Sequence, residues 1–387
     1  MIKIFFFCVF LLFGQNFLAF GQQKINFKIG KVPPSKDAHV TLFLAGDFNG
    51  WNPADKAWEF EQSDSGKYHV LKSLPKGVYS FKVTRGSWQT VECDASGKPI
   101  ENRTVNLSAD TTIRINIAGW QDNFKPEEKK HTASADVHII NENFAMPQLG
   151  RQRRVWIYLP KDYQSSHKKY PVIYMHDGQN LFDSYTSGYG EWGIDEILDK
   201  LPAKDECIIV GIDHGGQYRI SEYDPYDSKY GKGEGDVYVD FLVKTLKPYI
   251  DSHYRTKTDA KNTTIAGSSM GGLISMYAVL KYPDVFGSGG IFSPAFWIAP
   301  AIYQYAEQHT TSKSRFYFVC GGGESGSMVT DMQKMADIVR SKGVSARNSP
   351  EVVVKGAQHN EKQWNGDFPA FYEWLFRKSD VGGRRSE

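Results

Sequence analysis

From about residue 137 onward, short apolar runs rich in β-branched and aromatic residues alternate with segments of helical periodicity. The runs are RRVWIYLP, PVIYMHDG, CIIVGIDH, TTIAGSS, SGGIFSP, RFYFVCGG and EVVVKGAQ. The segments between them, such as EWGIDEILDKL and MGGLISMYAVLKYP, repeat apolar residues at helical spacing. Strands that are apolar almost throughout are buried on both faces, so the alternation predicts a mostly parallel sheet covered by helices.

The preceding part of the chain has a different pattern. Short runs of alternating character, HVTLFLAG, KYHVLKSL, YSFKVTRG and TIRINIAG, are separated by turn residues such as Asn49-Gly50. Closely spaced strands without helical segments between them predict an immunoglobulin-like β-sandwich. We therefore divide the chain into a smaller all-β domain (22–122), a polar linker (123–136), an α/β domain (137–378) and a polar tail (379–387).

The first residues have the features of a secretory signal. Lys3 precedes an unbroken apolar run, and Ala19-Phe20-Gly21 offers small residues for cleavage. We predict that residues 1–21 are a signal peptide and that the protein is periplasmic or secreted. The apolar run is too short for a stable membrane span, and no later stretch is long and apolar enough for one. Cys207 and Cys320 lie in apolar runs and are interpreted as core residues.

Charge and motifs exclude several classes of function. The formal net charge is +2, and no basic run is long enough to bind a polyanion, so nucleic acid is not an expected partner. The chain contains no paired-cysteine motif, no H-E-x-x-H, no acidic calcium loop and no glycine-rich phosphate loop. The sequence therefore predicts no metal site and no cofactor.

The segment Gly267-Ser268-Ser269-Met270-Gly271 stands between a strand-like run and a helical segment. A G-x-S-x-G motif in this setting is typical of a nucleophile elbow, in which a sharp turn exposes the serine. The helix that follows directs its first N–H groups toward developing negative charge. We predict that Ser269 is a nucleophile and that the N–H of Met270 contributes to an oxyanion hole.

A serine nucleophile requires a base and an acid, which follow it along the chain in this type of fold. His359 follows the last strand-like run and precedes the last helix, whereas His309 lies in a polar stretch that we interpret as a loop or helix end. We predict that His359 is the base. Glu324 follows the run RFYFVCGG, in Gly321-Gly322-Gly323-Glu324, and is the preferred acid, with Asp331 as the alternative.

The second oxyanion donor is expected in the loop after PVIYM. Gly178 is the preferred donor, because a glycine permits close approach of the backbone to a substrate, with Asp177 or Gln179 as alternatives. His176 precedes this loop, and we interpret it as a structural residue.

Arg219 and Glu222 lie in the polar segment QYRISEYDPY. Loops of this kind can shape substrate pockets. We nevertheless interpret these two residues as a local salt bridge.

Residues 137–376 resemble the esterase family of α/β-hydrolases that contains carbohydrate esterase family 1 and the enterochelin-type esterases. The resemblance rests on MHDGQNLFD, GEWGIDEIL, AGSSMGG, FSPAFW and GAQHNEKQW. It implies an α/β-hydrolase fold and a triad of Ser269, Glu324 and His359. Many relatives carry Asp at the position of Glu324.

The N-terminal region is similar to carbohydrate-binding modules of families 48 and 20 in LAGDFNGWNP, LPKGVYSFKV and RGSWQTVE. By position, the resemblance implies that Trp51, Trp88 and Lys82 contact a sugar. Indole faces stack on sugar rings, and an ammonium group donates to hydroxyls. The alternative is that this domain only supports the catalytic domain.

Together these features predict an exported serine carboxyl-ester hydrolase that removes acyl or feruloyl groups from polysaccharide through an acyl-enzyme. Three alternatives stay open at this point: a siderophore trilactone esterase, a carbohydrate-binding protein with an inert hydrolase domain, and an acyltransferase.

Overall fold

The computed structural model describes residues 22–35, 40–63, 66–125, 129–200, 206–324 and 326–377. The chain divides into two compact units, Met1–Pro126 and Glu127–Glu387, called the N-terminal and C-terminal units below. The predicted signal peptide and polar tail lie outside the described residues. Within those ranges, no helix combines the length and apolar character needed to cross a bilayer.

The N-terminal unit is an all-β sandwich, as predicted. Its strands are β1 (Gln23–Lys31), β2 (Phe43–Gly46), β3 (Glu61–Gln62), β4 (Tyr68–Leu74), β5 (Gly77–Thr84), β6 (Glu92–Cys93), β7 (Arg103–Leu107), β8 (Thr111–Asn116) and β9 (Gly119–Trp120). They form sheets of order β3-β4-β1-β8 and β2-β5-β7 and a small pair, β6-β9. Alternate residues of β1, Ile25 and Phe27, pack with Leu44 and Phe81 of the facing sheet.

The C-terminal unit is built on one sheet of eight strands. They are β10 (Val137–Met146), β11 (Arg151–Tyr158), β12 (Val172–His176), β13 (Ile208–Ile212), β14 (Thr263–Ser268), β15 (Ser288–Phe292), β16 (Arg315–Gly321) and β17 (Glu351–Val354). The order is β10-β11-β13-β12-β14-β15-β16-β17. β10 and β11 are antiparallel to their neighbours and the rest are parallel, which confirms the predicted α/β-hydrolase fold.

Helices cover both faces of this sheet. They are α1 (Ile194–Leu198), α2 (Arg219–Tyr223), α3 (Gly235–Phe241), α4 (Lys247–His253), α5 (Met270–Lys281), α6 (Ala301–His309), α7 (Met328–Ser341) and α8 (Glu361–Phe376), with a π-helical turn, Leu242–Leu246, between α3 and α4. Tyr174 of β12 belongs to the core under α3, α5 and α7, whereas Ile173 and Met175 belong to the core under α1 and α8. The sheet is therefore buried on both faces, and helix α5 behind Ser269 is buried almost completely.

A buried charge cluster ties α2 to the sheet and corrects one prediction. Glu222 does not pair with Arg219. Its carboxylate is 0% exposed and accepts hydrogen bonds from Arg153 at 2.7 Å and Arg151 at 2.9 Å, both on β11. Arg219 pairs with Asp177 instead. Glu222 and its two arginine partners are about 70 positions apart in the sequence. The fold brings them together, so closeness in the sequence did not predict the ion pair.

Replacing Glu222 by Gln will destabilise the C-terminal unit, because two guanidinium groups then lose their buried counter-charge. We expect the free energy of unfolding, measured by urea denaturation, to fall by about 3 kcal/mol. The matched control is Glu142→Gln, since Glu142 is 59% exposed and lies 3.8 Å from Arg154. The control will change stability by less than about 0.5 kcal/mol. Equal effects of the two substitutions would contradict the assigned role of the cluster.

Candidate active site

Ser269 occupies a strained turn between β14 and α5. Its φ of 58° and ψ of −120° lie in a region that side-chain-bearing residues rarely adopt. Glycines on either side make the turn possible. A Cβ at Gly267 would lie 2.9 Å from the carbonyl carbon of Gly271, and one at Gly272 would lie 3.0 Å from the carbonyl oxygen of Phe292. The backbone is thus shaped as a nucleophile elbow requires.

Hydrogen bonds fix the strained turn to the neighbouring strand. The N–H of Ser269 donates to the carbonyl of Phe292 at 3.0 Å, and the N–H of Ala295 donates to the carbonyl of Ser269 at 3.0 Å. Phe292 is the last residue of β15, which lies next to β14 in the sheet, and Ala295 follows that strand by three residues. These bonds hold Ser269 at the carboxyl edge of the sheet, where ligands bind in open α/β sheets.

Glu324 lies at the same edge and accepts three hydrogen bonds. Its donors are the N–H of Gly321 at 2.7 Å, the hydroxyl of Ser293 at 2.5 Å and Nδ1 of His359 at 2.7 Å. Burial alone raises the pKa of this carboxyl, but the nearby imidazole and the donated bonds bring it below its ordinary value. The carboxylate therefore stays charged and orients the imidazole, as the acid of a triad does.

His359 follows β17, and its ring meets the ring of Trp364 edge to face with centroids 5.1 Å apart. This packing leaves the side chain one-third exposed. The alternative acid Asp331 is engaged elsewhere, because it accepts a bond from the hydroxyl of Tyr303 at 2.9 Å. The structure thus brings the predicted acid Glu324 and base His359 together. Transfer of a proton from Ser269 to His359 stays a prediction.

The other histidine after Ser269 lies at a helix end, which is one of the two positions that the sequence predicted. His309 is the last residue of α6, and its ring stacks on Tyr305 with centroids 3.9 Å apart. It is exposed, with Nδ1 2.9 Å from the carbonyl oxygen of Tyr305. His309 therefore terminates a surface helix.

The loop after β12 contains a buried ion pair. Asp177 has a φ of 57°, and its carboxylate accepts two bonds from Arg219, at 2.7 Å and 2.8 Å. Although burial raises the pKa of this carboxyl, Arg219 brings it below its ordinary value. The N–H of Asp177 lies 3.4 Å from the hydroxyl of Tyr223. Because that N–H already has an acceptor, Asp177 is a weaker oxyanion candidate than the sequence indicated.

Gly178 is needed for packing. A Cβ at this position would lie 2.8 Å from the backbone of Gly211 and Ile212 in β13. Because Gly178 has no side chain, the loop can lie close to the sheet. From the sequence, we expected the glycine to allow a substrate to come close to the backbone. The N–H groups of Met270 and Gly178 remain the predicted oxyanion donors.

His176 has the structural role that the sequence suggested. Its ring is buried, with Nδ1 3.0 Å from the hydroxyl of Tyr238 and the ring of Tyr223 at a centroid distance of 5.0 Å. Burial lowers the pKa of this imidazole to about 3. His176 is therefore neutral at physiological pH and packs among aromatic rings.

Sequence reasoning missed Glu361, a buried acid two residues after His359. Its side chain accepts a bond from the amide of Asn180 at 3.2 Å. Burial, reinforced by the negative charge of Asp177, raises the pKa of Glu361 to about 7. In the sequence, Glu361 has the pattern of an acidic residue in the first turn of a helix, directly after the N-cap Asn360. This pattern does not indicate that the side chain is buried.

The raised pKa of Glu361 predicts a pH-dependent contribution to stability. A carboxyl whose pKa is higher in the folded than in the unfolded state stabilises the fold below the unfolded pKa, and this contribution is lost as the pH rises through the folded pKa. Glu361→Gln removes it. Relative to wild type, we expect the variant to gain roughly 2 to 3 kcal/mol in free energy of unfolding between pH 5 and pH 8.

Urea denaturation of both proteins at the two pH values measures this difference. A stability difference that does not change with pH would show that Glu361 has an ordinary pKa.

Comparisons with known proteins identify the family of the C-terminal unit. A family model described as "Putative esterase" matches residues 146–375, more than half of the chain, and the chain belongs to this family. It is 26% identical over 249 residues to the uncharacterized protein YbbA of Bacillus subtilis, covering 59% of this chain and 94% of that protein. Family membership places the chain among carboxylic ester hydrolases.

Two similar proteins have names that state an activity. An endo-1,4-beta-xylanase/feruloyl esterase of Xylanibacter ruminicola is 26% identical over 249 residues, covering 62% of this chain but only 31% of that enzyme. A solved ferulic acid esterase shares the fold, with a TM-score of 0.50, 19% identity and coverage of 62% of this chain and 98% of the other.

The N-terminal unit has its own relatives. A family model described as a pullulanase X25 domain matches residues 44–123. An alpha-amylase of Niallia circulans is 37% identical over 100 residues, which are 25% of this chain and 8% of that enzyme. The predicted likeness to carbohydrate-binding modules is thus confirmed.

Proposed function

We propose that the C-terminal unit is a serine esterase that works through an acyl-enzyme. The observation that carries the proposal is the hydrogen bond of 2.7 Å between His359 and the buried carboxylate of Glu324, beside a strained Ser269 on the same sheet edge. A hydroxyl, an imidazole and a carboxylate in this relation form the minimum set for nucleophilic acyl transfer.

In the proposed reaction, Nε2 of His359 removes the proton from Oγ of Ser269 as Oγ attacks the ester carbonyl carbon. The imidazolium that forms is stabilised by Glu324 through Nδ1–H. Negative charge on the carbonyl oxygen is stabilised by the N–H groups of Met270 and Gly178. The carbon–oxygen bond to the alcohol then breaks, and the proton of His359 passes to the departing alkoxide. Water, deprotonated by His359, attacks the acyl-enzyme and releases the acid and free Ser269.

The proposed substrate is an acyl or feruloyl ester of a polysaccharide. The name of the Xylanibacter relative, an endo-1,4-beta-xylanase/feruloyl esterase, and the similarity of the N-terminal unit to carbohydrate-binding modules support this choice. We further propose that residues 1–21 direct export to the periplasm or the medium, since polysaccharides of this kind are met outside the cell.

The proposal predicts that Ser269→Ala will lose at least about 10³-fold in kcat, because alanine has no hydroxyl with which to form the acyl-enzyme. Initial rates on p-nitrophenyl acetate and methyl ferulate measure the loss. The matched control is Ser268→Ala, at the adjacent buried serine that ends β14. This variant should retain activity within about tenfold of wild type, because the nucleophile is unchanged. Equal activity of wild type and Ser269→Ala would refute the mechanism.

The substrate class is tested by measuring kcat/KM of the wild-type protein on each candidate substrate. We expect release of ferulate or acetate from feruloylated or acetylated xylan to have a higher kcat/KM than hydrolysis of a catechol trilactone. The reverse order would favour the siderophore alternative while leaving the mechanism intact.

A second candidate function concerns the N-terminal unit, which we propose binds carbohydrate. The rings of Trp51 and Trp88 lie side by side, with centroids 6.3 Å apart and an angle of 32° between their planes, and both are partly exposed. Trp51 has a φ of 61°, and its Nε1–H donates to Asp47 at 3.1 Å. The strained backbone and this bond hold the indole in place, as a rigid stacking platform requires.

Lys82 is less available than its position in the sequence suggested. Its ammonium donates to the carbonyl of Ile100, and burial lowers its pKa below the ordinary value. We therefore assign the main sugar contact to the two indole rings.

Trp51→Ala and Trp88→Ala will each weaken retention on glycogen or starch by about tenfold, because each removes one stacking face. Affinity electrophoresis in gels containing the polysaccharide measures the effect. The control is Leu71→Ala, at an exposed apolar residue of β4 in the sheet β3-β4-β1-β8. This variant should migrate as wild type does. If both tryptophan variants are retained as strongly as wild type, the proposed carbohydrate binding is wrong and the unit has a purely structural role.

A further inference from the structure

Three acidic side chains meet at the start of α1, in a segment that the sequence showed only as a helix. Glu191, Asp195 and Glu196 each contribute a carboxylate oxygen to a group whose atoms all lie within 4.8 Å of one another. Among the described residues, none of the three forms an ion pair with a lysine or arginine. Three carboxylates so close together repel one another unless a positive charge or protons lie between them.

Asp195, the most buried residue of the group, has one carboxylate oxygen without a hydrogen-bond partner among the described residues. Asp195 is 0% exposed, and its Oδ2 accepts a hydrogen bond of 2.7 Å from the N–H of Ser134. Its Oδ1 is equally buried but has no hydrogen-bond partner in the described part of the chain, and the same holds for Oε2 of Glu196. A buried carboxylate oxygen without a donor is costly, so its persistence indicates a ligand at this position.

Neighbouring residues orient the group. The hydroxyl of Thr132 donates to Glu191, with distances of 2.9 Å and 3.0 Å to the two carboxylate oxygens. The N–H of Thr132 donates to Asp183 at 3.1 Å, and its hydroxyl accepts from the N–H of Ser184 at 2.8 Å. Supporting bonds of this kind hold the ligands of a metal site in position.

We propose that Glu191, Asp195 and Glu196 form a binding site for a hard divalent cation, with calcium as the preferred ion. All three side chains offer only oxygen, which suits calcium and magnesium and not the softer metals that select histidine or cysteine. Calcium accepts several carboxylates in irregular geometry, whereas magnesium demands an octahedral shell and retains most of its water. Backbone carbonyls and water would complete the six to eight oxygens that calcium takes.

The location connects this site to the proposed active site. Trp192, next to the ligand Glu191, packs against Phe292 at 5.0 Å and Trp364 at 5.7 Å between ring centroids. Trp364 in turn donates from Nε1 to Ser293 at 3.0 Å, and Ser293 donates to Glu324. A bound cation therefore holds Trp192 against the residues that support Glu324, and it fixes residues 132–134 to the start of α1.

The test uses the full chain, freed of metal with a chelator. Calcium binding is measured by calorimetry and by terbium luminescence excited through tryptophan, since Trp192 is adjacent to the site. We expect saturable binding with a Kd of about 10⁻³ M or tighter and a higher thermal midpoint in calcium. Magnesium at the same concentration should bind at least tenfold more weakly.

Asp195→Asn and Glu196→Gln identify the site. Each should raise the Kd for calcium at least tenfold and abolish the terbium signal, while folding without metal because each relieves repulsion among the carboxylates. Asp337→Asn, at a 79% exposed acid of α7, is the matched control and should bind as wild type. No saturable binding by the wild type, or unchanged binding by folded Asp195→Asn and Glu196→Gln, would overturn the proposal. These readouts do not depend on esterase activity.

Discussion

Glu324 accepts hydrogen bonds from three directions, and the carboxyl edge of the sheet is organised around it. Gly321 donates from the end of β16, Ser293 from the residue after β15, and His359 from the loop after β17. One buried carboxylate thus joins three adjacent strand ends. The same strand end that carries Ser293 also fixes Ser269 through Phe292, so the elbow and the acid–base pair share one support.

Other buried charges anchor the loops around this edge. Asp177 and Arg219 connect the loop after β12 with α2, and Glu222 connects α2 with β11. Each pair is long-range, and the carboxylates of Asp177 and Glu222 are buried, so the positions of the surrounding loops depend on these pairs. Glu361 differs, because burial and the charge of Asp177 raise its pKa to about 7, which leaves it partly neutral near physiological pH.

The sequence predicted what depends on local pattern. The seven apolar runs coincide with β11 to β17. For β12 to β16 the reason is burial on both faces, which favours residues that are apolar almost throughout. β10 was missed because it is an edge strand with most of its residues exposed or half-buried, and so has no apolar run. The partners of Glu222 and the meeting of Glu191 with Asp195 and Glu196 were also missed. Such contacts arise from tertiary packing, which spacing along the chain does not record.

The central claim is that Ser269 is the nucleophile and is activated by His359. The most direct measurement is mass spectrometry of the protein after reaction with a fluorophosphonate, which forms a stable adduct with an activated serine. The account predicts one adduct, on the peptide that contains Ser269, and a much slower reaction when His359 is replaced by Ala. An adduct on another residue of an active enzyme, or equal labelling rates with and without His359, would contradict it.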